Sequence, residues 1–107
     1  MNYKRLTKEL NGVEVSSLCL YHVQLPSRSL CVIEEVYTEP DYRYQGHATE
    51  LINQAIEQAK DWGADCIELT VRQDSPHIQE FYKRFGFIDR HNIAMRLPFK
   101  DLKPWNK

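Results

Sequence analysis

The sequence predicts a mixed α+β fold in which a mostly antiparallel twisted sheet carries two main helices. Three strand-like segments fill residues 3–38, and Asn11-Gly12 between the first two favours the type I′ turn of a hairpin. Residues 47–62 then switch to the apolar period of a helix, and residues 65–72 return to strand alternation. A strand, a helix and a second strand in this order favour a parallel pair, so the sheet is expected to be mixed.

The composition is that of one globular domain, so residues 1–107 are expected to form a single compact domain. Hydrophobic residues make up 42% of the chain and charged residues 27%, with a net charge of −1. Proteins that bind nucleic acid or membrane surfaces usually carry an excess of positive charge, so neither partner is expected. No apolar run approaches the roughly 20 residues of a membrane span, and the N-terminus lacks the apolar core of a signal peptide.

The cysteines and histidines show no pattern of a metal site or a disulfide. Cys19, Cys31 and Cys66 are odd in number, widely spaced and set among apolar neighbours, which is typical of reduced thiols. The four histidines lack metal-ligand spacing. We therefore expect a cytoplasmic protein without a metal ion.

The first three strands differ in pattern. Residues 3–10 are predicted to form an edge strand, and residues 13–24 the return strand of the hairpin. The next strand, residues 30–38, is almost wholly apolar at its start, which is typical of a strand covered on both faces. Glu34-Glu35 interrupts this run, and a buried strand would not carry two carboxylates without a reason.

Residues 47–62 form the clearest helix, with its apolar residues on one stripe, its polar residues opposite and Gly63 at its end. A shorter helix is predicted to begin at Ser75-Pro76, as a cap and a first helical proline, and to end at Gly86. The remaining segments are predicted to be two strands and a tail: residues 87–90, 93–97 and 98–107.

The turn between the third strand and the long helix is a candidate anion site. Gly46 lacks a Cβ, so the backbone there can turn sharply and come close to a ligand. The helix that follows begins with unpaired N–H groups and the positive end of its dipole, which suit phosphate. Arg43 adds a fixed, forked positive charge. The alternative is an ordinary strand-to-helix turn with a solvated arginine, since so short a motif also occurs by chance.

Two motifs resemble the GNAT superfamily, the acyl-CoA-dependent N-acyltransferases. Arg43-x-x-Gly46-x-Ala48 is similar to the pyrophosphate signature R/Q-x-x-G-x-G/A of that family, and it opens a helix as the signature does. Residues 81–87, FYKRFGF, resemble the second hallmark, a helix that ends in FYxxxGF. The resemblance covers roughly residues 13–98 and implies a GNAT-like fold with splayed parallel central strands.

The resemblance implies acetyl-CoA, or a related acyl-CoA, as donor and a primary amine on a protein or small molecule as acceptor. The pyrophosphate would lie on backbone N–H groups from about Tyr44 to Thr49. The pantetheine arm would pass between the strands at 30–38 and 65–72 and pair with the backbone of the first near Val36 and Thr38. The splay usually begins at a bulge, which we place at Glu34-Glu35. The residues assigned to donor binding are Val36, Tyr37, Thr38, Arg43, Tyr44, Gln45, Gly46, His47, Ala48, Thr49, Ser75 and Tyr82.

Acyl transfer to an amine requires the amine to lose a proton. A lysine-like amine with a pKa near 10.4 is neutral in only about one molecule in 2,500 at pH 7. Glu34 matches the position where some family members place a general base, and Glu35 is the alternative, because strand alternation directs only one of them into the cleft. Both could instead be solvated or ion-paired carboxylates at a bulge.

Tyr82 matches the tyrosine that protonates the departing thiolate in the family. The alternative is one more aromatic side chain beside Phe81 and Phe85. A hydroxyl on a core face needs a partner, and this favours the catalytic role. Ser75 stands where many members have asparagine; it could cap the second helix but would reach less far toward the cofactor.

The front of the chain departs from the family pattern, because GNAT enzymes usually place a strand and two helices before the first hairpin, and only 12 residues precede Val13 here. The acceptor site is therefore either open, which suits a bulky acceptor, or covered by a second copy of the chain. We expect a homodimer. The missing helices also keep open a non-catalytic acyl-CoA-binding or protein-interaction module. A nucleic-acid binder that uses Tyr21, Tyr42, Tyr44 and Arg43 suits the aromatic residues but not the charge.

Overall fold

The structure is a computed structural model that describes residues 2–102. The chain divides into two compact units between Leu69 and Thr70. The expectation of a single domain over residues 1–107 stays a prediction. Residues 103–107 of the predicted tail lie outside the described residues.

The first unit contains a four-stranded sheet in the order β1-β2-β3-β4. The first two pairs are antiparallel, and β3 and β4 are parallel, which confirms the predicted mixed sheet. The strands are β1 (Tyr3–Leu10), β2 (Val13–Gln24), β3 (Ser29–Thr38) and β4 (Cys66–Glu68).

The hairpin between β1 and β2 forms at Asn11-Gly12 as predicted. Leu10 pairs with Val13, so the loop contains only these two residues. Their φ angles are 52° and 79°, and a type I′ turn requires positive φ at both positions. The dipeptide therefore fixes the register of the hairpin.

The bulge predicted at Glu34-Glu35 is present in β3. Ser17 of β2 pairs with Tyr37, and Cys19 pairs with Glu34, so β3 carries one more residue than β2 between these pairs. Glu35 takes up the extra length with a φ of 56°. Both glutamates are exposed. The extra residue breaks the strand alternation, so alternation no longer selects which of the two side chains points into the cleft.

The strand β4 is shorter than the predicted strand at residues 65–72. Its parallel ladder pairs Leu30–Val32 with Cys66–Glu68 and then stops. From Ile33 to Thr38, β3 continues without a parallel partner in the described chain. The prediction for residues 65–72 was too long, because side-chain alternation does not determine how far two backbones stay paired. The end of the ladder just before the bulge is the feature expected for splayed strands.

Helix α1 (His47–Asp61) confirms the predicted long helix. Its buried residues are Leu51, Ile52, Ala55 and Ala59, and they pack against a sheet core that includes Leu18 and Leu20 of β2. Two lysines of β1 reach polar side chains of α1: Lys4 Nζ lies 3.0 Å from Gln58 Oε1, and Lys8 Nζ lies 2.9 Å from Glu50 Oε2. Gly63, with a φ of 79°, follows the last turn.

The second unit contains α2 (Pro76–Lys83), with proline at its first position as predicted. Ser75 stands at the N-cap position as predicted, but it makes no side-chain capping hydrogen bond. Instead, Gln79 Nε2 donates to the carbonyl oxygens of Arg72 and Gln73, at 2.9 and 3.0 Å, and holds the preceding loop against the helix.

The two closing strands predicted at residues 87–90 and 93–97 are absent from the described chain. Ile88, Ile93, Met95 and Leu97 are all at least 79% exposed. Their alternation satisfies the side-chain pattern of a strand, but a strand also needs a neighbour whose N–H and C=O groups complete the ladder. No such neighbour is paired with them in residues 2–102.

We expect Leu51→Ala to lower the free energy of unfolding by about 2–5 kcal/mol, because the side chain is wholly buried between α1 and the sheet. Asn53→Ala, on the exposed face of the same helix, is the matched control and should change it by less than about 0.5 kcal/mol. Urea denaturation measures both. Equal effects of the two substitutions would contradict the packing of Leu51 against the sheet.

Candidate functional site

The turn before α1 is built around a left-handed glycine. Gly46 is the N-cap residue, with φ 86° and ψ 6°, a conformation that side-chain-bearing residues rarely adopt. A Cβ added at Gly46 would meet no atom within 4 Å. The glycine is therefore required by the backbone angle, and the space beside it is open to a ligand.

A run of backbone N–H groups is unpaired at this turn. In the described part of the chain, the N–H groups from Tyr44 to Thr49 reach no acceptor, and Glu50 makes the first helical bond, to the Gly46 carbonyl at 3.1 Å. The positive end of the α1 dipole adds to their field. Glu50 is the acidic residue of the first turn, and Lys8 pairs with it. The geometry suits a diphosphate.

Arg43, the expected phosphate ligand, also makes contacts within the chain that the sequence did not indicate. Its Nε donates to the Thr38 carbonyl at 2.9 Å, and its guanidinium carbon lies 5.7 Å from the centroid of the Tyr37 ring. The side chain therefore ties the turn to the end of β3. This tether uses only Nε of the guanidinium, and it occupies the Thr38 carbonyl.

Further hydrogen bonds hold the turn in shape. A short 3₁₀ turn, Pro40–Tyr42, follows β3, and the Tyr42 N–H donates to the Glu39 carbonyl at 2.9 Å. Gln45 Nε2 donates to the Asp41 carbonyl at 3.1 Å. Sequence reasoning placed only the backbone of Gln45 in the site and missed this bond, since no sequence signal reports which carbonyl a glutamine side chain reaches.

His47 introduces a polar atom that sequence reasoning also missed. Its Nε2 is buried and has no hydrogen-bond partner among the described residues. The ring lies 6.3 Å from the Tyr42 ring, centroid to centroid. A buried polar atom without a partner costs free energy, so a water or ligand atom here would stabilise the site.

The free edge of β3 lies beyond its last pair with β4. Val36 is half-buried, and Tyr37 is 37% exposed. With no parallel strand beside residues 33–38 in the described chain, backbone groups on this edge are available to an extended ligand. The Thr38 carbonyl is the exception, because Arg43 already donates to it.

Tyr82 in the second unit is buried among aromatic rings. Phe81 and Phe87 meet its ring edge-on, with centroids at 5.0 and 5.8 Å. Burial raises the pKa of Tyr82 to about 12, so its hydroxyl keeps its proton at neutral pH. This hydroxyl bonds to no described residue, so the partner that the sequence led us to expect is not found among residues 2–102.

The described residues show no group of three or more histidine, cysteine or acidic side chains suited to a metal ion. Within the same residues, no helix has both the length and the apolar character needed to cross a bilayer. The structure leaves the roles proposed for Glu34, Glu35, Ser75 and Tyr82 as predictions.

Comparison with known proteins places these features in a family. The model of the acetyltransferase (GNAT) family matches residues 4–87, which include the turn at Gly46 and the aromatic motif at Tyr82. An uncharacterized N-acetyltransferase of Methanocaldococcus jannaschii is 38% identical over 88 residues. That match covers 79% of this chain but only 39% of the relative, so the chain spans well under half of that protein.

Two solved structures show the same fold. A transcriptional regulator from Bacillus halodurans C-125 is 26% identical, with a TM-score of 0.84 over 92% of this chain and 67% of that chain. An acetyltransferase from Trypanosoma brucei is 27% identical, with a TM-score of 0.76 over 91% of this chain and 68% of that chain. Both superpose on most of the described residues, and they support the fold predicted from the motifs.

We expect Gly46→Ala to lower the free energy of unfolding by about 1–2 kcal/mol, because an L-residue with a Cβ is strained at positive φ. Asn tolerates this conformation better, so Gly46→Asn should cost less. Urea denaturation separates the two variants. An alanine variant as stable as the wild type would show that the turn does not need the left-handed angle.

Proposed function

The chain belongs to the acetyltransferase (GNAT) family, and on that premise we propose that it transfers an acetyl group from acetyl-CoA to a primary amine. The observation that carries the proposal is the turn at residues 43–48. There a left-handed glycine precedes a run of unpaired N–H groups, within the family's pyrophosphate motif. A diphosphate accepts hydrogen bonds from such a run without any side-chain contribution.

The same turn supports the proposed position of the donor. Acetyl-CoA supplies an activated thioester, and the protein has to hold it against the amine in attack geometry, which can supply several kcal/mol of the barrier. The pantetheine arm would lie along the free edge of β3. Since the Thr38 carbonyl is engaged by Arg43, we assign the pairing of this arm chiefly to the backbone at Val36.

The acceptor amine must lose a proton, and we assign this proton to Glu34. Glu34 and Glu35 are both exposed at the bulge, where water and a charged amine can reach them. Glu34 is preferred because it matches the family's position for a base, with Glu35 as the alternative. The proton passes to the carboxylate directly or through one water, and the neutral nitrogen then attacks the thioester carbon.

Tyr82 is assigned as the proton donor to the departing thiolate. As the new C–N bond forms, the C–S bond breaks and leaves a negative charge on sulfur, which the tyrosine proton neutralises. The nitrogen releases its remaining extra proton to solvent, and Tyr82 is reprotonated from solvent before the next turnover. Burial raises the pKa of Tyr82 to about 12, so the hydroxyl carries its proton at neutral pH, as a proton donor must. No covalent enzyme intermediate is needed.

The location, assembly and acceptor follow as further proposals. Cys19, Cys31 and Cys66 are free thiols, which supports a cytoplasmic location. A homodimer is supported by large apolar side chains left exposed in the second unit, among them Ile93, Met95 and Phe99. The acceptor amine belongs to a protein or a small molecule.

The same fold could bind an acyl-CoA without turnover. One observation favours this second candidate: the Bacillus halodurans structure at 26% identity is that of a transcriptional regulator. A non-catalytic module would keep the anion site at residues 43–48 but would show no thiol release with any amine. Binding and turnover must therefore be measured separately.

We expect Tyr82→Phe to bind acetyl-CoA as tightly as the wild type and to lose turnover by about 10²–10⁴-fold, the usual worth of a positioned acid. Calorimetric titration measures binding, and release of free thiol across a panel of amines measures turnover. An ordinary tyrosine loses its proton near pH 10. With a pKa of about 12, ionisation of Tyr82 should not lower the wild-type rate through pH 10.

Failure of the wild type to bind acetyl-CoA would overturn the proposed function. Binding without thiol release for any amine would favour the non-catalytic module. Equal turnover by the wild type and Tyr82→Phe would remove Tyr82 from the mechanism and leave acetyl transfer itself intact.

We expect Glu34→Gln to lower turnover by about 10²–10⁴-fold at pH 7, while Glu35→Gln, the matched neighbour at the bulge, stays close to wild type. The deficit of Glu34→Gln should shrink as the pH rises toward the amine pKa near 10.4, since more of the acceptor is then neutral. Steady-state rates over this pH range provide the measurement. If Glu35→Gln lost turnover and Glu34→Gln stayed close to wild type, the base would be Glu35 instead.

A further inference from the structure

Tyr44 holds an unusual position in the turn at residues 43–48. Its φ of 62° lies in the left-handed region, which residues other than glycine seldom adopt and bulky side chains least of all. Tyr44 is fully exposed, and its ring and hydroxyl meet no partner in the described chain. Neither packing nor hydrogen bonding within that part of the chain explains why an aromatic residue stands here.

The backbone on both sides of Tyr44 is held in place. Arg43 donates to the Thr38 carbonyl at 2.9 Å on one side, and Gln45 donates to the Asp41 carbonyl at 3.1 Å on the other. The tyrosine therefore projects into solvent from a turn that is already shaped. A ligand that packed on its ring would order one side chain with two torsions, which costs little conformational entropy.

We propose that Tyr44 recognises the nucleobase of the donor by stacking its ring on the adenine of acetyl-CoA. This inference rests on the proposed function, because it requires the diphosphate to lie on the N–H groups at residues 44–49. The N–H of Tyr44 is the first of that run, and in CoA the adenosine is joined directly to the diphosphate. An aromatic ring presents a flat apolar face to a purine and needs no hydrogen-bond partner to hold it.

The test compares two donors that share the acetylated arm and differ in the nucleotide. Wild type, Tyr44→Ala and Tyr44→Phe are titrated calorimetrically with acetyl-CoA and with S-acetyl-4′-phosphopantetheine, which lacks the adenosine. We expect Tyr44→Ala to weaken acetyl-CoA binding about tenfold, in the range measured for base–aromatic stacking, and to leave S-acetyl-4′-phosphopantetheine unchanged. Tyr44→Phe keeps the ring and should bind both donors like the wild type.

Two controls separate stacking from a change in the turn. Tyr44→Asn removes the ring but tolerates the left-handed conformation, so it should bind acetyl-CoA as weakly as Tyr44→Ala. Thermal melting checks that the variants are folded, as expected for a wholly exposed side chain. The fluorescence of an etheno-adenine analogue of CoA should be quenched by the wild type and by Tyr44→Phe, and not by Tyr44→Ala.

Each alternative outcome is decisive. Unchanged acetyl-CoA affinity in Tyr44→Ala would overturn the inference, as would an equal loss for both donors, which would assign Tyr44 to the shape of the turn. A loss in Tyr44→Phe as large as in Tyr44→Ala would point to the hydroxyl and also overturn it. If the wild type bound neither acetyl-CoA nor S-acetyl-4′-phosphopantetheine, the proposed function itself would be overturned. This result would be known before any Tyr44 variant is compared.

Discussion

Burial of the apolar face of α1 against the sheet determines where the candidate site lies. Leu51 and Ile52 are wholly buried, one turn after the helix begins, and they set the position of its first residues relative to β2 and β3. The Lys8–Glu50 pair holds the same end of the helix over β1. Because this end is held, the N–H groups of its first turn keep a fixed direction, which an anion site requires.

The turn and the strand that precede α1 act together. Arg43 joins the turn to the carbonyl of Thr38, and Thr38 is the last residue of β3. On the other side of β3, Ser16 Oγ lies 2.8 Å from Thr38 Oγ1 and also donates to the Tyr37 carbonyl at 3.1 Å. The end of β3 is therefore held from both sides, and the turn that carries the unpaired N–H groups is tied to the free edge of the strand.

The bulge in β3 changes how its carboxylates can be used. Without the extra residue, alternation would direct Glu34 and Glu35 to opposite faces of the sheet. With it, both are exposed, and β3 loses its parallel partner at the same level of the sheet. A local departure from regular pairing thus opens an edge for a ligand and exposes two candidate bases beside it.

The sequence alone determined the elements whose signals are local. Asn11-Gly12 favours positive φ, the stripe through Leu51 and Ala55 favours a buried helix face, and Gly46 permits a sharp turn at the start of that helix. The motif residues predicted the anion site for the same reason, since backbone conformation there depends on neighbouring residues. Tertiary structure decided the rest: how far β4 stays paired, whether residues 93–97 find a partner strand, and which carbonyl Arg43 reaches. These outcomes depend on groups distant in the chain, and residue periodicity carries no information about them.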